Sequence, residues 1–179
     1  MEISRKKITD EAIHEAETKL AAEAEGIIAE FSEKFDAIGY ELEADYSRDN
    51  ENLENEEREA LKESDIKDPC AYSFGYASGV KITVKHKKSD EEETEEEISL
   101  EGLSDEEAEL ARNEAILEQA RKEAARDVAF TSMYFVHIYK AFWRESVSIS
   151  DNADEMKTDL DEFLSVLTEK STDTEAEVE

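Results

Sequence analysis

Val80-Lys81-Ile82-Thr83-Val84-Lys85 is the clearest strand pattern in this chain, because apolar and polar side chains alternate along it. Upstream, residues 72–76 place Tyr, Phe and Tyr at the same period of two. Residues 77–79, Ala-Ser-Gly, lie between the two runs and suit a turn or a bulge. Downstream, residues 95–103 can return as a second strand. The pattern therefore predicts an antiparallel hairpin in a small sheet, with a further short strand at 40–46.

Long helical patterns flank these strands. Residues 9–38 repeat apolar side chains every three or four positions, after cap candidates Thr9 and Asp10. A capping box at Ser104 opens a second pattern that can run to Arg144, and its second half, 128–143, is apolar almost all round. A last helix is predicted over 151–170. A helix that is apolar on every side belongs in a core or in an oligomer interface.

These patterns predict one α+β domain over residues 1–170, in which a small antiparallel sheet of three or four strands packs on two or three long helices. The segment 47–68 is polar and acidic, with one short helix around 54–63, and we expect it to be mobile. Residues 171–179 form an acidic tail with nothing to bury, and we expect it to be disordered.

Acidic residues dominate the chain: 50 Asp and Glu stand against 21 Lys and Arg, for a formal charge of -29. Such a charge repels nucleic acid and anionic membranes and attracts basic surfaces. The longest apolar stretch, 128–143, is too short and too polar to span a bilayer, and no signal peptide is evident. Cys70 is the only cysteine, so no internal disulfide can form. We expect a cytoplasmic protein, in the host cytoplasm if a phage encodes it.

No pattern in the sequence predicts an enzyme, a metal site or a cofactor. Residues 45–56 have the oxygen spacing of a calcium loop, but Asn50 stands where such loops need Gly. Glu11-x-x-His14 is half of a di-iron signature and lacks a second half. His137 has no nucleophile to serve and fits a core or interface position. Cys70 has no activating neighbour and fits a small packing role.

The acid is concentrated in blocks, which favours a binding function. Residues 90–118 hold 14 acids and 1 base, whereas the lysines at 81–88 are expected to pair across the hairpin with the acids that follow. A folded protein with separated acidic faces can imitate the phosphate charges of DNA and occupy a basic groove. In composition, though in no motif, the chain is similar to phage inhibitors of restriction, repair and CRISPR effectors. The expected contacts are Glu91, Glu92, Glu93, Glu95, Glu96, Glu97, Glu106, Glu107, Glu109, Glu114 and Glu118.

The concentration of acid in blocks predicts a non-enzymatic inhibitor, of the anti-CRISPR or anti-restriction type. Its partner would be a basic nuclease or another nucleic-acid-binding protein. An alternative is a homo-oligomeric scaffold, a homodimer in the simplest case, held together by the apolar segment 128–143 while the acid serves solubility. Its predicted core or oligomer residues are Phe130, Tyr134, Phe135, Ile138, Phe142 and Trp143. Solvated faces without a partner, or adaptation to salt, would also account for the charge.

Overall fold

The computed structural model describes residues 1–88, 105–150 and 152–176. Within them, a five-stranded antiparallel sheet carries α-helices between and after its strands, so the α+β class is confirmed with more strands than the three or four expected. The elements in chain order are β1 (Glu2–Ser4), α1 (Asp10–Asp36), β2 (Tyr40–Asn50), α2 (Asn55–Glu63), β3 (Tyr76–His86), α3 (Asp105–Ala125), β4 (Asp127–Ala141), β5 (Arg144–Ile149) and α4 (Ala153–Ala176).

The strand order is β1-β5-β4-β3-β2, so the long strand β4 lies in the middle of the sheet. The predicted strand at 80–85 is confirmed as part of β3, and the predicted strand at 40–46 as part of β2, which continues to Asn50. The two pair in register from Tyr40 opposite His86 to Asn50 opposite Tyr76. On its other side β3 pairs with β4, with a register shift between Ser78 and Gly79. The turn or bulge predicted at 77–79 is not in β3, because these residues pair with β2 without a break and the extra residue lies in β4.

Helix α1 forms where its pattern predicted. The Thr9 hydroxyl accepts a hydrogen bond from the Ala12 backbone N–H at 3.2 Å and so caps the first turn. After the helix ends, Gly39 takes a φ of +83°, a left-handed conformation that favours glycine. The buried side of the helix packs on the sheet beside α4, and both helices contribute to one core. Its large buried side chains are Ile13, Leu20, Ile27, Phe31 and Phe35.

The two faces of the sheet differ sharply. Val80, Ile82 and Val84 of β3 point toward the helices and are buried. Because side chains alternate along a strand, Lys81 and its neighbours in register point the other way. We call that second surface the open face. On β4 it carries Phe130 and Tyr134, which are 63% and 68% exposed.

The prediction of one helix from 104 to 144 is wrong beyond residue 125, because residues 127–141 form the central strand β4. A register shift explains the error. Thr131 and Met133 face the core, and after Phe135 is inserted as an extra residue, Val136 and Ile138 face the core instead. This change of phase puts apolar residues on consecutive positions, so the strand looks like a helix that is apolar all round.

Smaller differences concern the ends of elements. Residues 71–75, expected to form a strand, are a loop before β3 that holds the buried Tyr72. Helix α4 continues through 171–176, where a disordered tail was expected, and 177–179 lie outside the described residues. The predicted return strand at 95–103 and the capping residue Ser104 also lie outside them. Both edges of β3 are taken by β2 and β4, and Lys85 contacts acids that lie on or next to these strands, whereas the acids at 91–97 that were expected to pair with the lysines lie outside the described residues.

The predicted short helix within the acidic segment 47–68 is confirmed as α2. Its anchor is Arg48, a buried residue on β2 whose guanidinium donates to the backbone carbonyls of Asp65, Ile66 and Asp68 at 2.6–2.7 Å. Ile66 is itself buried in the core. The mobility of this segment stays a prediction, but both of its ends are tied to the sheet.

Candidate functional site

The outer sides of α1 and α4 form a surface of carboxylates. These two helices pack against each other on the same face of the sheet, so the acids that they expose lie on one layer of the molecule. Eight of these acids form no ion pair with another residue that the structure describes. We call them the helix-layer acids: Glu11, Glu15, Glu23 and Glu33 of α1, with Asp154, Glu155, Asp161 and Glu162 of α4.

The helix-layer acids are held on ordered secondary structure. Helix α1 has 27 residues, which corresponds to about 40 Å at 1.5 Å per residue, roughly one turn of a DNA duplex. The helix is fixed to the sheet by its buried apolar stripe, so its outward carboxylates keep a constant spacing. A fixed array of like charges attracts a cationic cleft over about one Debye length, ~8 Å in physiological salt.

Several basic side chains form ion pairs away from the helix layer, where Lys19, Lys34 and Lys157 are outnumbered by acids. Lys85 is only 8% exposed, and its ammonium contacts Glu43 together with Glu123 and Asp127, each at 3.7 Å. The hydrogen bond to Glu43, opposed by burial, raises the pKa of Lys85. Arg126, also 8% exposed, pairs with Glu41 and, at 2.9 Å, with Glu123. These pairs join the end of α3 to β2 and β3 at the rim of the open face.

Helix α3 projects from that joint. Each side chain described between Glu109 and Lys122 is exposed except Ala115, and the apolar Leu110 and Leu117 are 65% and 58% exposed. Helix α3 therefore presents its side chains to solvent over most of its described length.

The predicted contact acids fall mainly on or before α3. Glu109 and Glu118 are exposed on this helix, and Glu118 lies 3.5 Å from Lys122. The other predicted contacts are not brought into a described site. Glu91, Glu92, Glu93, Glu95, Glu96 and Glu97 lie outside the described residues, as do the side chains of Glu106, Glu107 and Glu114.

The acids of the α1–α4 layer were not among the predicted contacts, because the prediction followed the density of acidic blocks. In helix α1 the acids alternate along the sequence with the apolar residues of the buried stripe, so the density of acidic residues is not unusual there. The available signal was the position of Glu11, Glu15 and Glu33 opposite the predicted apolar stripe.

A buried polar network lies under α1, between the helix and the loop at 64–76. Glu17 and Arg48 are 0% and 1% exposed, and the Arg48 guanidinium donates to the Glu17 carboxylate at 2.7 Å. The hydroxyls of Tyr72 and Tyr76 donate to the same carboxylate, from Tyr72 at 3.0 Å. His14, expected to be exposed, is half-buried, and its Nδ1 lies 3.0 Å from the Tyr72 hydroxyl.

The pKa shifts in this network favour the protonated forms of the two tyrosine hydroxyls and of the Cys70 thiol. Burial, and next the Glu17 carboxylate, raises the pKa of the Tyr72 hydroxyl. For Tyr76, burial and the hydrogen bond to Glu17 raise the pKa. Burial also raises the pKa of the Cys70 thiol, against the opposing charge of Arg48, so the reactive thiolate is disfavoured. The arrangement suits a structural clamp for the 64–76 loop better than a catalytic centre.

The metal alternatives find no support among the described residues. Residues 45–50 lie in strand β2 rather than in a calcium-binding loop, and Asp49 is held by Arg58 at 2.5 Å. The pKa of Asp49 is lowered, chiefly by that hydrogen bond. In the part of the chain that the structure describes, no group of three or more His, Cys, Asp or Glu side chains could hold a metal ion.

The predicted core or oligomer residues of β4 separate into two groups. Phe135 and Ile138 are fully buried under the helices. Phe130 and Tyr134 stand on the open face, and Phe142 and Trp143 form the tip of the β4–β5 hairpin, 101% and 79% exposed. His137, expected in a core or an interface, is exposed near the Tyr139 ring, with the ring centroids 5.5 Å apart. A role of the exposed residues in an oligomer stays a prediction.

Among the described residues, no helix combines the length and the apolar character needed to cross a bilayer. No protein-family model, curated protein or solved structure matches the chain.

Proposed function

We propose that this protein is a non-enzymatic binding protein that uses an ordered anionic surface to occupy the nucleic-acid groove of a basic partner, and so inhibits a nuclease or another nucleic-acid-binding protein. The observation that carries the proposal is the set of helix-layer acids on α1 and α4. They are exposed, held on packed helices and unpaired among the described residues.

Electrostatics explains why such a surface suits this class of partner. Proteins that bind DNA do so largely by neutralising phosphates with Lys and Arg, so their grooves are cationic. A rigid row of carboxylates meets the same groove with the same sign of charge as the phosphates. It also avoids the entropic cost of ordering a flexible acidic tail on binding. A phage or mobile-element origin, with an anti-CRISPR or anti-restriction role, is the biological setting that we propose for such an inhibitor.

The test is binding to an effector nuclease with a known basic groove, measured by displacement of a fluorescent DNA duplex at low and at high salt. A first variant replaces Glu11, Glu15 and Glu33 of α1 with Gln, which keeps size and removes charge. A matched control replaces Glu54, Glu56 and Glu57, which are exposed acids at the start of α2, with Gln.

The α1 triple variant should lose displacement by about tenfold or more, since each lost charge contact at a desolvated site costs on the order of 1 kcal/mol. The α2 control should fall less than about threefold. Rising salt should weaken the wild type steeply. Equal losses from both triples would show that only net charge matters, and displacement that ignores salt would contradict the proposal.

A third variant tests the contacts that the acidic blocks predict. It replaces Glu109, Glu114 and Glu118 with Gln. A loss from this triple and none from the α1 triple would move the binding surface from the helix layer to the projecting helix.

A further inference from the structure

We propose that the open face of the sheet is the interface of a homodimer, in which two copies of this chain pack sheet against sheet along their central strands β4. The proposal concerns the side of the molecule opposite the helix-layer acids. It therefore stands or falls separately from the proposed function.

The open face presents a ridge of aromatic side chains along β4. Phe130 and Tyr134 are each more than 60% exposed, and beyond the bulge His137 and Tyr139 continue on the same face. The ammonium of Lys81 on the neighbouring strand lies 4.9 Å from the centroid of the Phe130 ring. Large aromatics left in water on a sheet are unusual, and contiguous apolar patches of this kind mark interaction sites.

Small side chains flank the ridge, so the surface is complementary in shape to a second copy of itself. In register beside it lie Ala77 and Gly79 on β3 and Ser148 on β5, each next to a bulky residue of β4. Gly79 lies opposite Tyr134, and a Cβ there would meet the Met133 carbonyl oxygen at 2.7 Å. A two-fold interface needs a patch that is its own complement, and a ridge beside shallow hollows satisfies that condition.

The distribution of charge limits where a second copy could bind. From Val128 to Tyr139 the chain has no Asp, Glu, Lys or Arg, in a sequence that is 40% charged. Two copies that each carry a charge of -29 repel each other, so contact between them is least unfavourable where acids are few. On the open face, the acids Glu43 and Asp45 lie on β2 at one edge of the sheet, whereas Glu2 on β1 at the other edge is paired with Arg144.

A two-fold axis parallel to β4 keeps those acids apart. An axis that runs between β4 and β3 seats the ridge of each copy over the hollows on β3 of the other. It also places β2 of one copy over β5 of the other, so the two acidic edges lie at opposite sides of the dimer. The helix layers then face outward in both copies and remain accessible.

The area of the face suits a stable dimer. Five strands spaced about 4.8 Å apart span roughly 20 Å, and their lengths, from 3 residues in β1 to 15 in β4, average roughly 30 Å. The product is on the order of 600 Å² per copy, which corresponds to the lower end of the ~1,200–2,000 Å² that a specific interface buries in total.

The experiment uses the full chain and multi-angle light scattering over a range of protein concentrations at moderate salt. The wild type should be a dimer at micromolar concentration. The Phe130→Ser/Tyr134→Ser variant should raise the dimer dissociation constant by about tenfold or more, because aromatics at an interface centre carry much of its affinity. A control, Leu117→Ser, removes an exposed apolar side chain from α3 and should leave the constant unchanged. A wild type that is monomeric at about 100 μM overturns the proposal, and so does a dimer that the double variant does not weaken.

Site-specific cross-linking locates the interface without relying on those variants. In a Cys70→Ser background, Ser132→Cys places a thiol in the middle of the ridge, and Ser165→Cys places one on the exposed side of α4. Mild oxidation should link two Ser132→Cys chains at least about tenfold faster than two Ser165→Cys chains. A faster reaction at position 165 would put the interface on the helices and contradict the proposal.

Discussion

Arg48 donates to Glu17 at 2.7 Å in a site where neither side chain reaches solvent. The pair joins the N-terminal third of α1 to strand β2, and Arg48 also donates to the carbonyls of residues 65, 66 and 68. A buried ion pair of this kind is costly to break from one side, because the partner left behind is an uncompensated charge.

Arg48→Met should therefore lower the free energy of unfolding by about 3–5 kcal/mol, measured by urea denaturation followed by circular dichroism. The double variant Glu17→Gln/Arg48→Met removes the stranded carboxylate as well and should be more stable than Arg48→Met alone by about 1 kcal/mol or more. If the double variant were less stable than Arg48→Met, the Glu17 carboxylate would not destabilise the fold in the absence of Arg48, which would contradict the prediction.

Tyr72 and Tyr76 make stability depend on alkaline pH. Their pKa values in the folded chain lie above the ordinary 10.0, since burial and the Glu17 carboxylate oppose the phenolate. Above pH 10 the unfolded chain gives up these protons while the folded chain keeps them, so the unfolded state is favoured. The stability that these two protonated hydroxyls contribute is fully present below pH 10 and is lost as the pH rises further.

Absorbance at 295 nm during a pH titration follows the ionisation of the 6 tyrosines directly. We expect Tyr72 and Tyr76 to ionise only with unfolding, as a late group in the titration. In Tyr72→Phe the late group should shrink, and the fall of melting temperature above pH 10 should be shallower. A single titration step in the folded wild type would contradict the prediction.

Phe130 and Phe135 test the strand assignment of β4 from within one element. Phe135 is 0% exposed and Phe130 is 63% exposed. Phe135→Ala should cost about 3–5 kcal/mol of unfolding free energy through lost burial and a cavity. Phe130→Ala should change it by less than about 1 kcal/mol when unfolding is measured at protein concentrations too low for association. Similar losses at both positions would argue against the open face.

Two glycines should respond to alanine with opposite signs. At Gly79 the new Cβ would meet the Met133 carbonyl at 2.7 Å, a contact with backbone that has no easy relief, so we expect a loss of about 1–3 kcal/mol. At Gly26, within α1, nothing lies within 4 Å of the new Cβ. Gly26→Ala should therefore gain about 0.5–1 kcal/mol from helix propensity. Chemical denaturation of the two variants in parallel gives the comparison, and a gain at Gly79 would contradict the bulge geometry.

The sequence was sufficient for the elements whose period is uninterrupted. The stripe of α1 and the alternation at 80–85 each keep one phase, so the pattern of residues alone assigns their faces. Strand β4 changes phase at Phe135, and a pattern with two phases imitates a helix that is apolar all round. The buried role of Arg48 was equally hidden, because a single Arg in a polar stretch reads as exposed until its partner Glu17 is located in space.

The candidate surfaces show the same limit. Acid density draws attention to 90–118, whereas the structure locates acids on α1 and α4 that form no ion pair with another described residue. Which carboxylates are neutralised depends on contacts between distant residues, such as Arg126 with Glu41, and no local pattern encodes them.

The tip of the β4–β5 hairpin carries an intrinsic fluorescent probe. Trp143 is the sole tryptophan and is already immersed in water in the folded chain. Its emission should change little when the core melts, yet it should shift toward the blue whenever another molecule shields the hairpin. Fluorescence titrations can therefore register docking at this end of the sheet without any attached dye.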